Sequence, residues 1–176
     1  MNIKDLIEES HGRAYRKGFY DPVPSLESRV ALIHSELSEA LECYRDNDMT
    51  TEVKDGKPVG LPTEIADVVI RICDYAGFAK INLEHLIEDL RSDEAIDLDG
   101  DSSLESWLCH MHAELGQGFA YHYQRDDIDY LHDSMAMLVI MCEELAKHLR
   151  IDLDAEIRRK SDYNETRPAK HGRVRL

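Results

Sequence analysis

Apolar residues recur every three or four positions along most of the 176-residue chain, and this spacing places them on one face of a helix. No segment shows the strict alternation of apolar and polar residues that is typical of a half-buried strand. The pattern therefore predicts an all-α protein, built as a bundle of seven helices. Four helices are predicted at residues 2–18, 25–46, 62–77 and 82–91, and three more follow residue 102.

Capping and breaking residues indicate where these helices begin and end. Ser25 is suited to cap a helix start, and Pro62 fits a first helical turn, where its missing N–H has no partner to lose. Gly77 is interpreted as a helix stop. The polar stretch DNDMTTEVKDGKPVG, residues 46–60, is predicted to be a loop.

Residues 93–102 are predicted to be a linker. Asp97, Asp99 and Asp101 have the spacing of a calcium-binding loop. Such a loop requires glycine at its sixth position, where this chain has Ser102. The calcium interpretation is therefore rejected.

The chain contains an internal repeat. Residues 25–41 (SLESRVALIHSELSEAL) align with residues 103–119 (SLESWLCHMHAELGQGF), and residues 81–87 align with residues 151–157. The alignment pairs Leu26 with Leu104, His34 with His112 and Glu36 with Glu114. It predicts a tandem of two related helical halves with a pseudo-two-fold relation. The predicted parts are 1–92, the linker 93–102, a second half at 103–157 and a basic tail at 158–176.

Several acidic residues of the first half are lost in the second. Glu39 aligns with Gln117, Glu64 with Ser134, and Asp67 with Met137 inside the apolar run MAMLVIMC. A methionine is a poor replacement at a solvated position. These positions are therefore predicted to face a pocket that is acidic in the first half and neutral in the second.

Four of these acids form two pairs. Glu36 and Glu39, and likewise Glu64 and Asp67, are three residues apart, so each pair shares a helix face. If the two helices are neighbours, the pairs converge and their mutual repulsion requires protonation or a divalent cation. A hard cation such as Mg²⁺ suits carboxylate oxygens, with phosphate oxygens as its other ligands. The alternative is that both pairs lie on solvated faces of an acidic protein.

Composition limits the partners. The chain has 36 acidic and 21 basic residues and a formal charge of -15, so nucleic acids and anionic membranes would be repelled. There is no secretory signal, and no apolar run approaches the roughly 20 residues of a membrane span. The four cysteines form no CxxC pair and are predicted to be reduced core residues of a cytoplasmic protein; they are Cys43, Cys73, Cys109 and Cys142.

Two helical segments carry a resemblance to a known family. HSELSEALECYR (34–45) followed by PTEIADVVIRICDYAG (62–77) resembles the metal-binding helices of the MazG-like all-α nucleoside triphosphate pyrophosphohydrolases. NIKDLIEESHGRAYRKGFYD (2–21) resembles the N-terminal helix of that family, and SDYNETRPAKHGRVRL (161–176) resembles its C-terminal tail. The family's EExxE motif differs here at its first acid, which is Ser35.

The resemblance implies hydrolysis of a nucleoside or deoxynucleoside triphosphate between its α and β phosphates, which removes unwanted nucleotides from the pool. The implied ligands of Mg²⁺, or alternatively Mn²⁺, are also the implied catalytic residues; they are Glu36, Glu39, Glu64 and Asp67. The implied substrate-binding residues are Lys17, Lys160, Asn164, Arg167, Lys170 and His171. Asp74 either orients water or nucleotide, or lies on the surface.

The resemblance also implies association, and a homodimer is expected. A second hypothesis is a non-catalytic nucleotide-sensing or interaction protein that keeps the fold. Glu8 and His11 have the E-x-x-H spacing of di-iron bundles, but such bundles need two of these motifs. Phe19 and Tyr20 could contact a nucleotide base.

Overall fold

The computed structural model describes residues 2–92 and 103–172, without the side chains of residues 171 and 172. The predicted linker and the side chain of His171 therefore lie outside the described part. Over the described ranges the chain forms seven α-helices, one two-stranded sheet and a final 3-10 turn. The prediction of an all-α fold class is confirmed.

The elements follow one another as α1 (Ile3–Arg16), α2 (Leu26–Arg45), β1 (Glu52–Lys54), β2 (Lys57–Val59), α3 (Leu61–Ala79), α4 (Leu83–Ser92), α5 (Leu104–Arg125), α6 (Asp129–His148), α7 (Leu153–Thr166) and the turn at Ala169–Gly172. Helix α7 crosses the predicted boundary at residue 157, so the second half and the tail share one helix. No helix in the described ranges is both long and apolar enough to span a membrane.

Local sequence explains where the helices begin. The side chains of Asn2, Ser25, Ser103 and Asp152 each accept a hydrogen bond from the backbone N–H three residues further on. Such caps satisfy an N–H group that has no partner within the helix. Ser25 and Ser103 are the first residues of the two SLES copies. Pro62 lies in the first turn of α3, as predicted.

The stretch predicted as a loop contains a β-hairpin. Strands β1 and β2 pair in antiparallel fashion, with Lys54 opposite Lys57. Asp55 and Gly56 connect them with φ angles of 52° and 78°. The Asp-Gly dipeptide is a known signal for such a two-residue turn. The strands were missed because three residues are too few to show an alternation.

Helix α3 continues past Gly77, so the predicted stop at this glycine was wrong. The helix ends at Ala79, and Lys80 follows with a left-handed φ of 59°. A Cβ atom at Gly77 would lie 2.5 Å from the Cβ atom of His11. Gly77 therefore permits the close approach of α1 to α3 and does not end the helix.

Helices α3 and α6 form the centre of the bundle. Helix α3 contacts α1, α2, α6 and α7, and α6 also contacts α4 and α5. Their buried faces are rich in apolar side chains, including Ile65, Val69, Ile72, Leu138 and Val139. The main helix contacts follow a two-fold pattern in which α2, α3 and α4 correspond to α5, α6 and α7. The contact of α2 with α3 corresponds to that of α5 with α6, and the contact of α3 with α7 corresponds to that of α6 with α4.

The cysteines follow the prediction only in part. Cys73 and Cys142 are buried and Cys43 is half-buried, but Cys109 is exposed. Cys109 directly follows the buried Leu108 on α5. One residue turns a helix by about 100°, which moves Cys109 off the buried face.

A histidine pair connects α2 to α5. The Nδ1 atoms of His34 and His112 are 2.8 Å apart, and the two rings are parallel within 6°. One Nδ1 must donate and the other must accept, so the contact requires that the rings not both be charged. Burial lowers the pKa of both histidines, and the neighbouring His112 lowers that of His34 further.

This pair predicts a pH-dependent stability. Unfolded histidine binds a proton near a pKa of about 6.5, above the folded value here. The stabilising contribution is therefore complete above about pH 6.5 and is lost as the pH falls through the folded pKa. The combined change His34→Gln and His112→Gln should flatten the pH dependence of the unfolding free energy between about pH 5 and pH 7, measured by urea denaturation. His85→Gln, at an exposed histidine, is the control. Equal slopes in wild type and double variant would contradict this interpretation.

Candidate functional site

Three of the four predicted acids meet where α2 packs against α3. Glu36 comes from α2, and Glu64 and Asp67 come from α3. One carboxylate oxygen from each lies within 4.8 Å of the others, and we call these residues the acid cluster. Glu36 and Glu64 are each only 4% exposed. Burial of so many like charges requires compensation.

Arg71 compensates Glu36. Its Nε donates to Oε1 of Glu36 over 2.5 Å, and the two residues come from different helices. Burial nevertheless raises the pKa of Glu36 to about 7, because the cost of burying the charge outweighs the attraction of Arg71. Repulsion from Asp67 raises this pKa further. Burial likewise raises the pKa of Glu64, against the opposing charge of Lys160.

Lys160 from α7 compensates the other two acids. Its Nζ lies 2.8 Å from Oδ2 of Asp67 and 3.8 Å from Oε2 of Glu64. Burial opposes the charged form, but the two carboxylates outweigh it and raise the pKa of Lys160. The resemblance implied that this ammonium binds phosphate, whereas here it contacts the acid cluster.

Glu39, the fourth implied metal ligand, lies outside the acid cluster. It is exposed on α2 and accepts a hydrogen bond from Oγ of Ser35, over 3.1 Å. Its negative charge is still close enough to contribute to the raised pKa of Glu36 and Glu64. Its role as a ligand remains a prediction.

A cavity of about 150 Å³ begins beside Asp67. From the acid cluster it extends along one face of α3, past Arg71 to Asp74. Asn164 and Arg167, at the end of α7, form part of the opposite wall. The remaining lining residues belong to α1, to the segment between α1 and α2, to the N-terminal part of α2 and to the middle of α3; they are Ser10, Arg13, Ala14, Phe19, Tyr20, Pro24, Arg29, Leu32 and Ile70.

Three side chains that line this cavity carry buried polar atoms without a hydrogen-bond partner in the described part of the protein. The atoms are Oγ of Ser10, Nη2 of Arg29 and Oδ1 of Asn164. These residues are only 2%, 7% and 8% exposed. An unsatisfied buried polar group costs about 1–3 kcal/mol, so such groups normally bind water or a ligand. The cavity is therefore suited to a polar ligand.

The far end of the cavity is aromatic and rigidly held. Oδ1 of Asp74 accepts from the hydroxyl of Tyr20 over 2.5 Å and lies 3.1 Å from Nδ1 of His11. The guanidinium of Arg29 lies 4.0 Å from the ring centre of Phe78 and 4.8 Å from that of Tyr20. Asp74 is half-buried, with a side chain that is 26% exposed, and it lines the cavity. Burial raises its pKa, against hydrogen bonds from Tyr20 and His11. Its role in orienting water or nucleotide stays a prediction.

Two of the implied phosphate ligands instead join the segment after α1 to residues 165–170. Nζ of Lys17 donates to the backbone oxygens of Glu165 and Arg167, over 2.6 Å in each case. Lys170 donates through Nζ to the backbone oxygen of Asp21, and its N–H donates to the backbone oxygen of Lys17. Asn164 and Arg167 line the cavity as described. The side chain of His171 is not described.

The second half lacks a corresponding set of acids. Ser134 and Glu114, which align with Glu64 and Glu36, contact each other: Oγ of Ser134 donates to Oε1 of Glu114 over 2.7 Å. Met137 is half-buried against the core, and Gln117 is exposed. In the part of the chain that the structure describes, the acid cluster of the first half is the only group of this kind.

Sequence reasoning missed the arginines of the site. Arg71 lies four residues after Asp67, on the same helix face, so its position could have been inferred from spacing. Arg13 and Arg29 could not, because they reach the cavity through the packing of α1 and α2. Arg13 donates to Ser161 on α7, through its side-chain and backbone oxygens.

Comparison with protein-family models found no match, and comparisons with curated proteins and with solved structures found none either. The resemblance to the MazG-like family therefore remains a prediction from motifs.

The acid cluster predicts a response to Mg²⁺. A ligand that binds only the folded state raises the melting temperature. Mg²⁺ should raise that of the wild type, and this effect should be lost in Glu64→Gln and Asp67→Asn, which remove charge without changing shape. Glu39→Gln should weaken the effect if Glu39 is a ligand.

Glu42→Gln is the control for these variants, since it removes a carboxylate charge from α2 at an exposed residue that pairs with Arg45. The measurement is thermal unfolding with and without MgCl₂. A full response to Mg²⁺ in Asp67→Asn would show that the acid cluster does not bind the ion.

Proposed function

We propose that the protein is a Mg²⁺-dependent pyrophosphohydrolase that cleaves a nucleoside or deoxynucleoside triphosphate to the monophosphate and pyrophosphate. The observation that carries this proposal is a buried acid cluster beside a cavity that is lined by arginines and contains unpartnered polar atoms. Acids beside a basic cavity suit a metal ion together with phosphate groups.

The acid cluster fits a hard divalent cation. It offers three carboxylate oxygens from separate side chains within 4.8 Å of one another, and oxygen is the ligand that Mg²⁺ and Mn²⁺ prefer. Glu39 is the proposed fourth ligand. When bound, the metal would polarise phosphate oxygens and lower the pKa of a water molecule.

The chain's own residues then have separate tasks. Arg71, Asn164 and Arg167 line the cavity beside the acids and bind phosphate oxygens. Glu39 accepts a proton from the attacking water. Asp74 lies seven residues beyond Asp67 on α3, which is about 10 Å along the helix. That distance suits a nucleotide with its phosphates at the acid cluster and its base near Phe19, Tyr20 and Asp74.

The protein is proposed to be a tandem of one active and one degenerate half. The symmetric contacts among helices α2–α7 support it, as do the equivalent caps Ser25 and Ser103. A second correspondence comes from Ile81 and Ile151, whose N–H groups donate to Ala76 and Ala146. A cytoplasmic homodimer without stable binding to nucleic acids completes the proposal.

The enzyme proposal predicts which product is released. Protein incubated with Mg²⁺ and each common nucleoside triphosphate should yield pyrophosphate and a monophosphate. Asp67→Ala and Glu39→Ala should abolish the release. Glu114→Ala should retain it, because Glu114 belongs to the half without an acid cluster. Orthophosphate alone as product would exclude this reaction, and no turnover across the panel would favour the nucleotide-sensing hypothesis.

The cavity predicts a separate effect on substrate binding. Asn164→Asp keeps the size of the side chain and places a negative charge where Oδ1 of Asn164 has no partner. Phosphate would be repelled, so KM should rise about tenfold, equivalent to about 1.4 kcal/mol. The response of the melting temperature to Mg²⁺ should persist. Asn82→Asp, at an exposed helix cap, is the control. An unchanged KM would show that the substrate does not approach Asn164.

A further inference from the structure

We propose that Lys160 and Arg71 are exchangeable counter-ions, which neutralise the acid cluster in the free protein and move to the nucleotide's phosphates when a divalent cation binds the carboxylates. Binding of the metal and binding of phosphate would then favour each other. This inference rests on the proposed function of the same site, and it assigns to two positive side chains a role in coupling the two ligands.

Lys160 and a metal ion compete for the same oxygens. Nζ of Lys160 lies 2.8 Å from Oδ2 of Asp67 and 3.8 Å from Oε2 of Glu64. A Mg²⁺ ion binds carboxylate oxygens at about 2.0–2.1 Å. An ion at that distance from these oxygens would lie close to the positively charged ammonium group and would be repelled by it. Lys160 must therefore withdraw from the acids before the site can hold the ion with these ligands.

Arg71 and Glu36 form a similar pair. Nε of Arg71 donates to Oε1 of Glu36, a carboxylate that is only 5% exposed at its side chain, whereas the arginine side chain is 35% exposed. The arginine can therefore move, while the acid is fixed in the bundle.

Both positive side chains lie close enough to the cavity to move into it. Arg71 already lines the cavity. Lys160 lies four residues before the cavity-lining Asn164, so both share one face of α7. Short side-chain movements would bring both positive groups to phosphate oxygens in the cavity, without movement of a helix.

The charges explain why the two ligands would be coupled. Three carboxylates with Lys160 and Arg71 leave one net negative charge in the free site. A divalent cation that replaces the two side chains releases two positive charges beside the cavity. Phosphate bound there in turn holds these side chains away from the carboxylates. By linkage, each ligand must then increase the affinity for the other by the same factor.

The internal repeat provides independent support. Residues 81 and 151 correspond, so positions in α3 and α4 correspond to positions 70 residues later in α6 and α7. Under this relation four of the five charged residues correspond to uncharged ones, whereas in the alignment of α2 with α5 Glu36 corresponds to Glu114. Glu64, Asp67, Arg71 and Lys160 correspond to Ser134, Met137, Met141 and Leu90. The two acids of α3 and the two cations are thus absent together, as expected if they act as one unit, and Glu114 instead accepts a hydrogen bond from Ser134.

The test separates exchange from a purely structural role by the sign of the effect. Lys160→Met and Arg71→Met remove the competitors for the carboxylates. In the absence of nucleotide, each should increase the affinity for Mg²⁺ about tenfold, measured by titration calorimetry. Each should also weaken binding of inorganic tripolyphosphate to the Mg²⁺-loaded protein about tenfold. If the ion pairs only hold the helices together, the affinity for Mg²⁺ will instead fall or stay unchanged.

Arg13→Met is the matched control. Arg13 lines the same cavity and its charge attracts Asp67, but its hydrogen bonds are to Ser161 and not to the acid cluster. Arg13→Met should increase the affinity for Mg²⁺ less than Lys160→Met and Arg71→Met do. An equal increase would show that loss of any nearby positive charge has this effect, and it would overturn the inference. Should Lys160→Met fail to fold by circular dichroism, Arg71→Met carries the test, because Arg71 is partly exposed.

The result also distinguishes this inference from the proposed function. One outcome would overturn only the exchange of counter-ions: the wild type binds Mg²⁺ and releases pyrophosphate, but neither variant combines a higher affinity for Mg²⁺ with weaker binding of tripolyphosphate. Opposite effects without pyrophosphate release would support the exchange and overturn the enzymatic activity. Wild-type protein without affinity for Mg²⁺ would overturn both.

Discussion

The convergence of three carboxylates, two buried and one half-buried, within 4.8 Å of one another is the constraint on which the rest of the site depends. Helices α2 and α3 can pack at this point only if positive charge enters with the acids, since unpaired buried charges are strongly destabilising. Arg71 supplies one charge from within α3, but the other comes from Lys160, near the end of the chain. The docking of α7 is therefore part of forming the acid cluster.

Once α7 is docked, it also builds the cavity. Its C-terminal part is held against α1 by Arg13, which donates to Ser161, and by Arg16, which pairs with Glu165. Lys17 binds the backbone oxygens that the end of α7 leaves unpaired. These contacts place Asn164 opposite α3 and enclose the space beside Asp67. The acid cluster and the cavity thus arise from a single packing event.

Local sequence was sufficient for part of this structure. The seven helices, the cap at Ser25 and the shared faces of the acid pairs follow from spacing alone. The hairpin also had a local signal, in the dipeptide of Asp55 and Gly56, but it was too short for a periodicity argument. The role of Gly77 depends on its distance to His11, and that of Lys160 depends on the packing of α7 against α3. Such tertiary contacts leave no periodic trace in the sequence.

The helix contacts explain why the helices after residue 102 are needed although they carry no acid cluster in the described part of the chain. Helix α7 follows α6 in the chain, yet it packs against α3, just as α4 packs against α6. Helices from both sides of residues 93–102 therefore share one core. Met137, which corresponds to Asp67, and Leu90, which corresponds to Lys160, both pack against the core. Loss of α7 would remove Lys160 and leave Asp67 and Glu64 uncompensated. Helix α7 is thus a structural requirement of the acid cluster.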